Sequence, residues 1–349
     1  MTDRQIHVLR QYPTAPHDAA FEHLAATGEA TVSRYQYELS SNPRGAPRNA
    51  AFLVNAFLRR RGDTVVLGAE PYDPRVPLFN RLARRHDVVL HTSWSRWGTN
   101  EVPQPTGSKR RRQRWRQFLG RVHAVGVTEA ATKSVRDAGA GAATHVPHAV
   151  DTDRYRPDAG QEQDRRNRPV VTFVGRLERR KGIEDLLTVA RDWGGPEACF
   201  RFVGDGPLES RVREAAVSDR VSYEGYVGDE ARLASLYATS DVFVLPSFAV
   251  DGWEELFGIV VIEAFASGLP VVATDCVGPN ELVDDGETGH IVPQRDRGAL
   301  ADRIEWLLTD DEARAAMGRR ARAVAERRYG RSVTAEQWAG VFDIVSGNE

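Results

Sequence analysis

The second half of the chain alternates short apolar runs with helical patterns, and this alternation limits the fold more than any other feature. Six runs rich in β-branched and aromatic residues are predicted to be strands: Val170–Val174, Cys199–Val203, Val221–Tyr223, Asp241–Leu245, Pro270–Ala273 and His290–Val292. Helical patterns lie between them at Ile183–Arg191, Leu208–Val217 and Glu230–Ala238. Nearly continuous apolar strands that alternate with helices indicate an α/β fold with a parallel sheet covered on both faces.

The first half has the same character, with predicted strands at Ile6–Leu9, Thr64–Gly68, Asp87–His91, His123–Val127 and Thr144–Pro147. A chain of 349 residues is longer than one core usually supports, so we expect two domains. The polar, aperiodic segment 158–168 is the predicted linker. This predicts a short basic domain at 1–160, a second domain at 161–328, and a closing helix in 329–349 that packs back towards the first domain.

The composition is typical of a globular protein, with a hydrophobic share of 41%. No apolar run reaches the roughly 18 residues that a spanning helix needs, and the N-terminus lacks the apolar segment of a signal peptide. Of the two cysteines, Cys199 lies in an apolar run and is expected to be a small buried residue. These features predict a cytoplasmic protein.

Charge is divided unevenly along the chain. Residues 1–150 carry 22 Lys and Arg against 12 Asp and Glu, whereas residues 151–349 carry 25 against 37. A basic first half favours anionic partners such as a membrane surface, a phosphate-bearing acceptor or nucleic acid. Only Lys109, Lys133 and Lys181 among the 47 cations are lysines.

A strand that ends in glycine and turns into a helix carries Gly175, Arg176, Lys181 and Gly182. Free amides at a helix N-terminus bind phosphate, and adjacent cations add to the attraction. Arg176 can make a two-pronged contact with a diphosphate, and Lys181 can supply a compact charge. The segment is therefore a candidate phosphate site, although a solvated basic turn would have the same composition.

Two glutamates, Glu255 and Glu263, flank the apolar stretch Leu256–Ile262. Carboxylates at the edges of a buried stretch cost free energy unless they bind something, and the neighbouring hydroxyls of a sugar or ribose would satisfy them. Gly258 lies between them, where a side chain would obstruct a close approach of the backbone. The alternative is two solvated acids that are favoured by the start of a helix.

Two weaker motifs lie between these segments, Phe202-Val-Gly204-Asp205-Gly-Pro207 and Glu224-Gly-Tyr226-Val227. Each is ordinary turn chemistry when taken alone. In their order along residues 170–292, the four motifs together resemble the donor-binding region of the retaining glycosyltransferases of family 4, the group 1 glycosyltransferases.

The resemblance implies the GT-B fold, in which two doubly wound, Rossmann-like parallel-sheet domains face each other across a cleft. It implies a retaining transfer of a sugar from a nucleotide-diphosphate donor to a hydroxyl of a glycan or lipid-linked acceptor, with no metal and no cofactor besides the donor. The implied donor-binding residues are Gly175, Arg176, Lys181, Gly204, Asp205, Tyr226, Val227, Leu256, Phe257, Gly258, Ile259 and Glu263. Glu255 would approach the donor sugar as a catalytic residue, and Glu263 would accept hydrogen bonds from the ribose.

A histidine of the first half is the second catalytic candidate. His91 ends a predicted strand, at the edge where parallel sheets bind ligands. The family commonly places a histidine in this neighbourhood, near the donor sugar, so we favour His91. The other candidates are His17, His123 and His148.

The first half also departs from the family pattern. The loop Tyr12–Ala20 lacks the glycine pair that the family usually has after its first strand, which leaves acceptor placement open. Asp151 and Asp153 form a pair of the kind that metal-dependent transferases of another fold use. Their position just before the predicted linker argues against a metal role.

The segment Lys109–Val122 begins with six basic residues in its first eight. Trp115, Phe118, Leu119 and Val122 recur at helical spacing and form one apolar face. Such a helix suits an anionic membrane surface, and would hold the protein peripherally at the inner face of the membrane. The alternative is a helix that packs its apolar face on its own domain. No recognition motif accompanies the segment, so nucleic acid is not an expected partner.

Two other functions would use the same motifs. One is another reaction on the same fold, such as that of a nucleotide-sugar epimerase or a sugar phosphorylase. The other is a non-catalytic nucleotide-sugar-binding partner of a glycosylation complex, which the glycine-free sequence of Tyr12–Ala20 favours. An epimerase needs no acceptor, so the products of the reaction distinguish these functions.

Overall fold

The computed structural model describes residues 4–11, 18–38, 46–58, 62–97, 109–164 and 167–347. The chain forms two compact units, the first made of Met1–Ala149 with Arg331–Glu349 and the second of Val150–Gly330. The division therefore lies before the predicted boundary at residue 160. The polar stretch that precedes residue 165 belongs to the second unit, because Tyr155 packs on Tyr237 and the Gln161 amide donates to Ser235 Oγ at 2.7 Å.

The first unit is built on six parallel strands in the order β2-β1-β3-β4-β5-β6. The strands are β1 (Arg4–Arg10), β2 (Ala30–Gln36), β3 (Thr64–Gly68), β4 (Asp87–Thr92), β5 (His123–Gly126) and β6 (Ala142–His145). Both β2 and β3 pair with β1, one on each side, so the strand order reverses between β1 and β3. The carboxyl ends of the strands on either side of such a reversal open the ligand crevice of a doubly wound sheet.

Helices cover both faces of this sheet. They are α1 (Ala19–Ala26), α2 (Ala46–Leu58), α3 (Val76–Leu82), α4 (Lys109–Leu119), α5 (Glu129–Asp137) and, at the end of the chain, α13 (Arg331–Ser346). Val66 of β3 shares one core cluster with Phe21 and Trp338, whereas its neighbour Leu67 shares the other with Trp115. Successive strand residues thus face opposite helix layers, which explains why the strands read as continuous apolar runs.

Helix α4 buries the apolar face that its sequence pattern predicts. Trp115, Phe118 and Leu119 are at most 2% exposed, and Trp115 Nε1 donates to the Asp73 carbonyl at 3.1 Å. The rings of Trp115 and Phe118 both contact Phe79 of α3. The alternative of a helix packed on its own domain is confirmed, and insertion of this apolar face into a bilayer is wrong. Most of the cationic side chains of α4 remain exposed.

The second unit has six parallel strands in the order β12-β11-β10-β7-β8-β9. The strands are β7 (Val170–Val174), β8 (Cys199–Val203), β9 (Val221–Gly225), β10 (Val242–Leu245), β11 (Val271–Thr274) and β12 (Gly289–Val292). The helices are α6 (Ile183–Arg191), α7 (Glu209–Ala215), α8 (Glu230–Ala238), α9 (Ile259–Ala266), α10 (Val277–Leu282), α11 (Arg297–Thr309) and α12 (Asp311–Val324). Because β8 and β10 both pair with β7, this sheet reverses its order between β7 and β10.

The predicted α/β class with two parallel sheets is confirmed. Within the described ranges, the strand that sequence patterns miss is β2, which is buried only at its two ends and whose residues include Ser33, Arg34 and Gln36. A strand at the edge of a sheet needs no continuous apolar run, so it has no clear signal. The prediction of Thr144–Pro147 is shifted, since β6 ends at His145. In the described parts of the chain, no helix combines the length and apolar character needed to cross a membrane.

Candidate functional site

The predicted site of the second unit lies where its strand order reverses. The loop after β7 carries Gly175 to Gly182, and the loop after β10 carries Pro246 to Glu255. Gly182 has a φ of 73°, and a Cβ there would lie 2.0 Å from the carbonyl oxygen of Pro246. The two loops therefore touch through their backbones, at the edge of the sheet where doubly wound folds bind ligands.

The three glycine motifs at the ends of β7, β8 and β9 are joined by backbone hydrogen bonds. The Gly175 amide donates to Val203 at 3.0 Å, and the Gly204 amide donates to Gly225 at 2.7 Å. The Leu177 amide donates to Asp205 at 2.7 Å. A Cβ on Gly204, which has a φ of 133°, would lie 2.0 Å from the Gly175 carbonyl oxygen. The structure thus unites motifs that are separate in the sequence, and glycine is required for their mutual packing.

Lys181 and Glu255 form an ion pair across the two loops. Lys181 Nζ lies 2.5 Å from Glu255 Oε2, with side chains 18% and 12% exposed. Ser247 Oγ donates to the same carboxylate oxygen at 3.2 Å, and the Glu255 carbonyl accepts from the Gly278 amide at 2.9 Å. The predicted phosphate-binding cation and the predicted catalytic acid are therefore brought together and held in one arrangement.

Trp253 is a residue of this site that the sequence patterns miss. The guanidinium of Arg180 lies 4.4 Å from the centre of its indole, and Lys181 Nζ lies 5.2 Å from it. Reciprocal backbone hydrogen bonds of 2.9 Å between Val250 and Trp253 close the loop that carries the ring. The ring thus adds a cation–π contact to both cations. In the sequence, Trp253 is a single aromatic residue before the acids Glu254 and Glu255. No pattern of spacing links it to the basic loop that carries Arg180 and Lys181.

Glu254 has a different role from its neighbour. Its carboxylate accepts a hydrogen bond from the Val277 amide at 2.9 Å, at the start of α10. The side chain is therefore directed to a helix start, whereas the neighbouring Glu255 is the acid that pairs with Lys181. This pair of adjacent acids provides a matched comparison for the chemistry of the site.

Glu263, on α9, is paired with a phenol instead of a cation. The buried Tyr237 hydroxyl donates to Glu263 Oε2 at 2.9 Å, and Tyr155 packs on Tyr237. Burial raises the pKa of Glu263 to about 7, and the hydrogen bond from Tyr237 opposes this rise. Desolvation of a carboxylate favours its neutral form. The second acid therefore needs an additional hydrogen-bond donor if it is to be ionised at neutral pH.

The stretch between the two acids folds as predicted, into a turn and the first turns of α9. Phe257 is buried, while Leu256 and Ile259 are half-buried. Gly258 has a φ of 88° and directly precedes the helix. This left-handed backbone conformation favours glycine by itself. It explains Gly258 better than the predicted need for space beside a ligand.

Other predicted donor residues lie in the loops at this edge, outside the ion pair. The Arg176 side chain is 62% exposed and lies 3.3 Å from Glu178. Tyr226 is 74% exposed and Val227 is half-buried, in the loop that follows β9. Arg176 is therefore available to a ligand, whereas Lys181 is already engaged.

The first-half candidate His91 belongs to the first unit, where it is 7% exposed at the end of β4. Its Nδ1 lies 3.3 Å from an Arg10 nitrogen, and the buried His148 ring packs on it at 5.5 Å. His123 instead lies 2.8 Å from Thr144 Oγ1. His17 and most of the loop Tyr12–Ala20 lie outside the described residues.

The acidic pair at the start of the second unit has a local structural role. The carboxylate of Asp151 accepts hydrogen bonds from the amides of Asp153 and Arg154, at 3.1 and 3.3 Å. An aspartate that bonds the amides two and three residues onward stabilises a turn. These contacts account for Asp151 without a metal ion.

The raised pKa of Glu263 predicts a pH-dependent stability. The unfolded chain releases this proton near pH 4.5 and the folded protein near 7, so the group lowers stability progressively as pH rises between these values. Glu263→Gln should therefore raise stability at pH 8 by up to about 3 kcal/mol, with the difference vanishing towards pH 4.5. Thermal unfolding at several pH values measures it.

The exposed Glu305 of α11 provides the control for this substitution. Glu305→Gln should change stability little at any pH, because the Glu305 side chain lies on the surface of the helix. An equal loss of stability in Glu263→Gln at pH 5 and pH 8 would contradict the prediction.

Comparison with known proteins agrees with this geometry. Residues 156–324 match the family model described as glycosyl transferases group 1. The chain is 30% identical to a phosphatidyl-myo-inositol mannosyltransferase of Mycobacterium leprae, covering 98% of this chain and 89% of the relative. It is 33% identical to an alpha-D-kanosaminyltransferase of Streptomyces kanamyceticus, covering 55% of this chain and only 50% of the relative.

Solved structures show the same fold at low sequence identity. A sucrose-phosphate synthase from Thermosynechococcus elongatus superposes with a TM-score of 0.77 at 20% identity, covering 99% of this chain and 100% of the other. Anabaena HepE in complex with UDP and glucose gives a TM-score of 0.71 at 20% identity, covering 98% and 100%. Both doubly wound sheets are thus those of the GT-B fold, and the chain belongs to the group 1 glycosyltransferases.

Proposed function

We propose that the protein is a retaining, metal-independent glycosyltransferase that moves a sugar from a nucleotide-diphosphate donor to a hydroxyl of a glycan or lipid-linked acceptor. The observation that carries this proposal is the Lys181–Glu255 pair beside Glu263 at the strand reversal of the second unit. A cation for phosphate and two acids for hydroxyls are the groups that a nucleotide sugar requires. A relative named as GDP-mannose-dependent and the UDP-bound HepE structure support such a donor.

In this proposal, each group of the donor has a partner in the site. Lys181 and the exposed Arg176 would bind the diphosphate, together with the free amides at the start of α9. Ribose hydroxyls would donate hydrogen bonds to Glu263 and favour its ionised form, because they would supply the hydrogen bonds that water makes to an exposed carboxylate. Glu255 would hold a hydroxyl of the donor sugar, with Ser247 and Lys181 fixing its orientation.

During transfer, the bond between the sugar and the diphosphate breaks, and the acceptor oxygen forms a new bond to the sugar. Negative charge grows on the departing diphosphate oxygen, which takes up the proton of the acceptor hydroxyl as the step is completed. Cations already fixed in place stabilise that charge without reorganising. Lys181 is such a cation, because Glu255 and Trp253 both hold it, and this supports the proposal that no metal is needed.

Glu255→Gln should lower kcat by about 100- to 1,000-fold, because it removes a fixed charge at the reacting sugar. Slow hydrolysis of the donor without acceptor should decline in parallel, measured by release of nucleoside diphosphate. Wild-type activity should be unchanged in EDTA.

The adjacent Glu254→Gln is the matched control, because an amide oxygen can still accept from the Val277 amide. It should retain near wild-type rates. Full donor turnover in Glu255→Gln, or a product formed without any acceptor, would exclude the proposed transfer and favour the binding-protein or epimerase alternatives.

Loss of the indole at Trp253 should weaken donor binding more than chemistry. A cation–π contact contributes about 0.5–2 kcal/mol, so Trp253→Ala should raise the donor KM by roughly 2- to 30-fold with a smaller change in kcat. Trp253→Phe keeps an aromatic face and should recover most of the loss. Calorimetric titration of UDP and GDP measures the affinity directly, and equal behaviour of the Ala and Phe variants would contradict the role of the ring.

The membrane contact that we propose uses charge alone. Since the apolar face of α4 is packed, its exposed cations remain the surface available to anionic lipids at the inner face of a membrane. A groove of about 550 Å³ lies beside α4, and three further arginines line it together with Arg114 of α4: Arg81, Arg84 and Arg85. A relative named for phosphatidyl-myo-inositol supports a lipid-linked acceptor at such a surface.

Replacing Arg110, Arg112 and Arg116 together by glutamate should abolish flotation with vesicles that contain phosphatidylglycerol. The same three positions replaced by lysine should bind nearly normally, because each basic residue near the surface contributes about 1 kcal/mol through its charge. Binding should also decline with added salt. Unchanged flotation of the glutamate variant would refute this contact.

A further inference from the structure

The first unit has a pocket of about 180 Å³ at its own strand reversal. Arg10 of β1, Gly68 of β3 and His91 of β4 line it, with Glu70 and His148 nearby on the same wall. Its volume is below the roughly 300–1,000 Å³ of pockets that hold drug-sized ligands. It therefore suits part of a ligand, of the size of one ring.

Arg10 is fixed in this pocket by two partners. One of its terminal nitrogens lies 2.8 Å from Asp18 Oδ1 and 3.3 Å from His91 Nδ1. Its side chain is 14% exposed and that of Asp18 is 5% exposed. The aliphatic stem packs at the position of Gly68, where a Cβ would lie 3.3 Å from Arg10 Cγ. The guanidinium therefore has little freedom to turn away from the histidine.

The contact between Arg10 and His91 determines which ring nitrogen carries the proton. Burial lowers the pKa of the Arg10 guanidinium, against the opposing effect of the Asp18 carboxylate. Arginine nevertheless keeps its charge in proteins. A guanidinium only donates hydrogen bonds. His91 Nδ1 must then accept, which leaves the proton of the neutral ring on Nε2. An adjacent positive charge also disfavours a second proton on the imidazole.

The orientation of the ring is set from the other side. Trp338 of α13 packs edge-to-face on His91 with ring centres 5.2 Å apart, and His148 does so at 5.5 Å. Among the described residues, the charged and titratable groups near the ring include Arg10, with Asp18 behind it, His148, and Glu70 in the same pocket.

We propose that Arg10 is a positioning residue that holds His91 as the neutral Nε2–H tautomer, so that His91 donates a hydrogen bond to a sugar hydroxyl in this pocket instead of accepting a proton. The Arg10 charge is balanced by Asp18, so the pocket offers an uncharged hydroxyl-bearing ring better complementarity than it offers a phosphate. This inference rests on the proposed function for the identity of the ligand, although the tautomer itself does not depend on it.

The tautomer can be observed directly. Protein labelled with ¹⁵N-histidine should show, by long-range ¹H–¹⁵N correlation, a His91 ring protonated on Nε2 alone from pH 6.5 to 8. His91→Gln identifies the signal. A ring protonated on Nδ1, or on both nitrogens at pH 7, would overturn the proposal whatever the protein catalyses.

Two arginine substitutions separate positioning from structural support. Arg10→Met should produce a mixture of tautomers and a larger imidazolium fraction at pH 6.5. Arg34→Met is the matched control, because Arg34 Nε also bonds Asp18, at 2.9 Å on its other oxygen. If Arg10→Met does not fold, the wild-type spectrum still decides the question, and Arg10→Lys provides a milder variant.

Kinetics supply the second measurement. Arg10→Met should move the acidic limb of the kcat profile to higher pH and lower kcat about 10-fold or more, while Arg34→Met keeps the wild-type profile. Affinity for UDP or GDP alone should not change, since Lys181 and Glu263 belong to the second unit. If the wild-type protein does not bind UDP or GDP, the proposed function is refuted. An unshifted pH profile of kcat in Arg10→Met would refute the role of Arg10.

Discussion

The ion pair between Lys181 and Glu255 joins two loops that are 74 residues apart in the sequence. Removing both charges from water has a free-energy cost that their attraction does not reliably recover, so stability alone is a weak reason for the pair. Its effect is to fix the positions of a cation and an acid before a ligand arrives. Gly182, Ser247 and Trp253 each contribute one constraint to that geometry.

The two acids of the site have different surroundings. Glu255 has a cation and a hydroxyl as partners, whereas Glu263 has the Tyr237 phenol and a raised pKa. The surroundings therefore suit the two carboxylates to different parts in the proposed reaction. Glu255, fixed beside Lys181, would act electrostatically at the sugar, and Glu263, beside the Tyr237 phenol, would accept hydrogen bonds from hydroxyls.

Most of the fold and the order of the site motifs could be predicted from sequence, because buried parallel strands leave continuous apolar runs such as Val170–Val174 and glycines mark their ends. The edge strand Ala30–Gln36 has no such signal. Trp253 and Tyr237 were not predictable as site residues, since their partners lie far away in the chain. The boundary was misplaced because polar composition at 158–168 does not show whether its backbone is bonded to a neighbouring unit.

The scarcity of lysine has a practical consequence. Lys109 is exposed, the Lys133 side chain is 77% exposed, and Lys181 is 18% exposed beside Glu255. An amine-selective reagent therefore encounters very few side chains on this protein, and they fall into two accessible positions and one enclosed one. The reactivity of the enclosed lysine therefore reports on the ion pair against a background of only two surface lysines, Lys109 and Lys133.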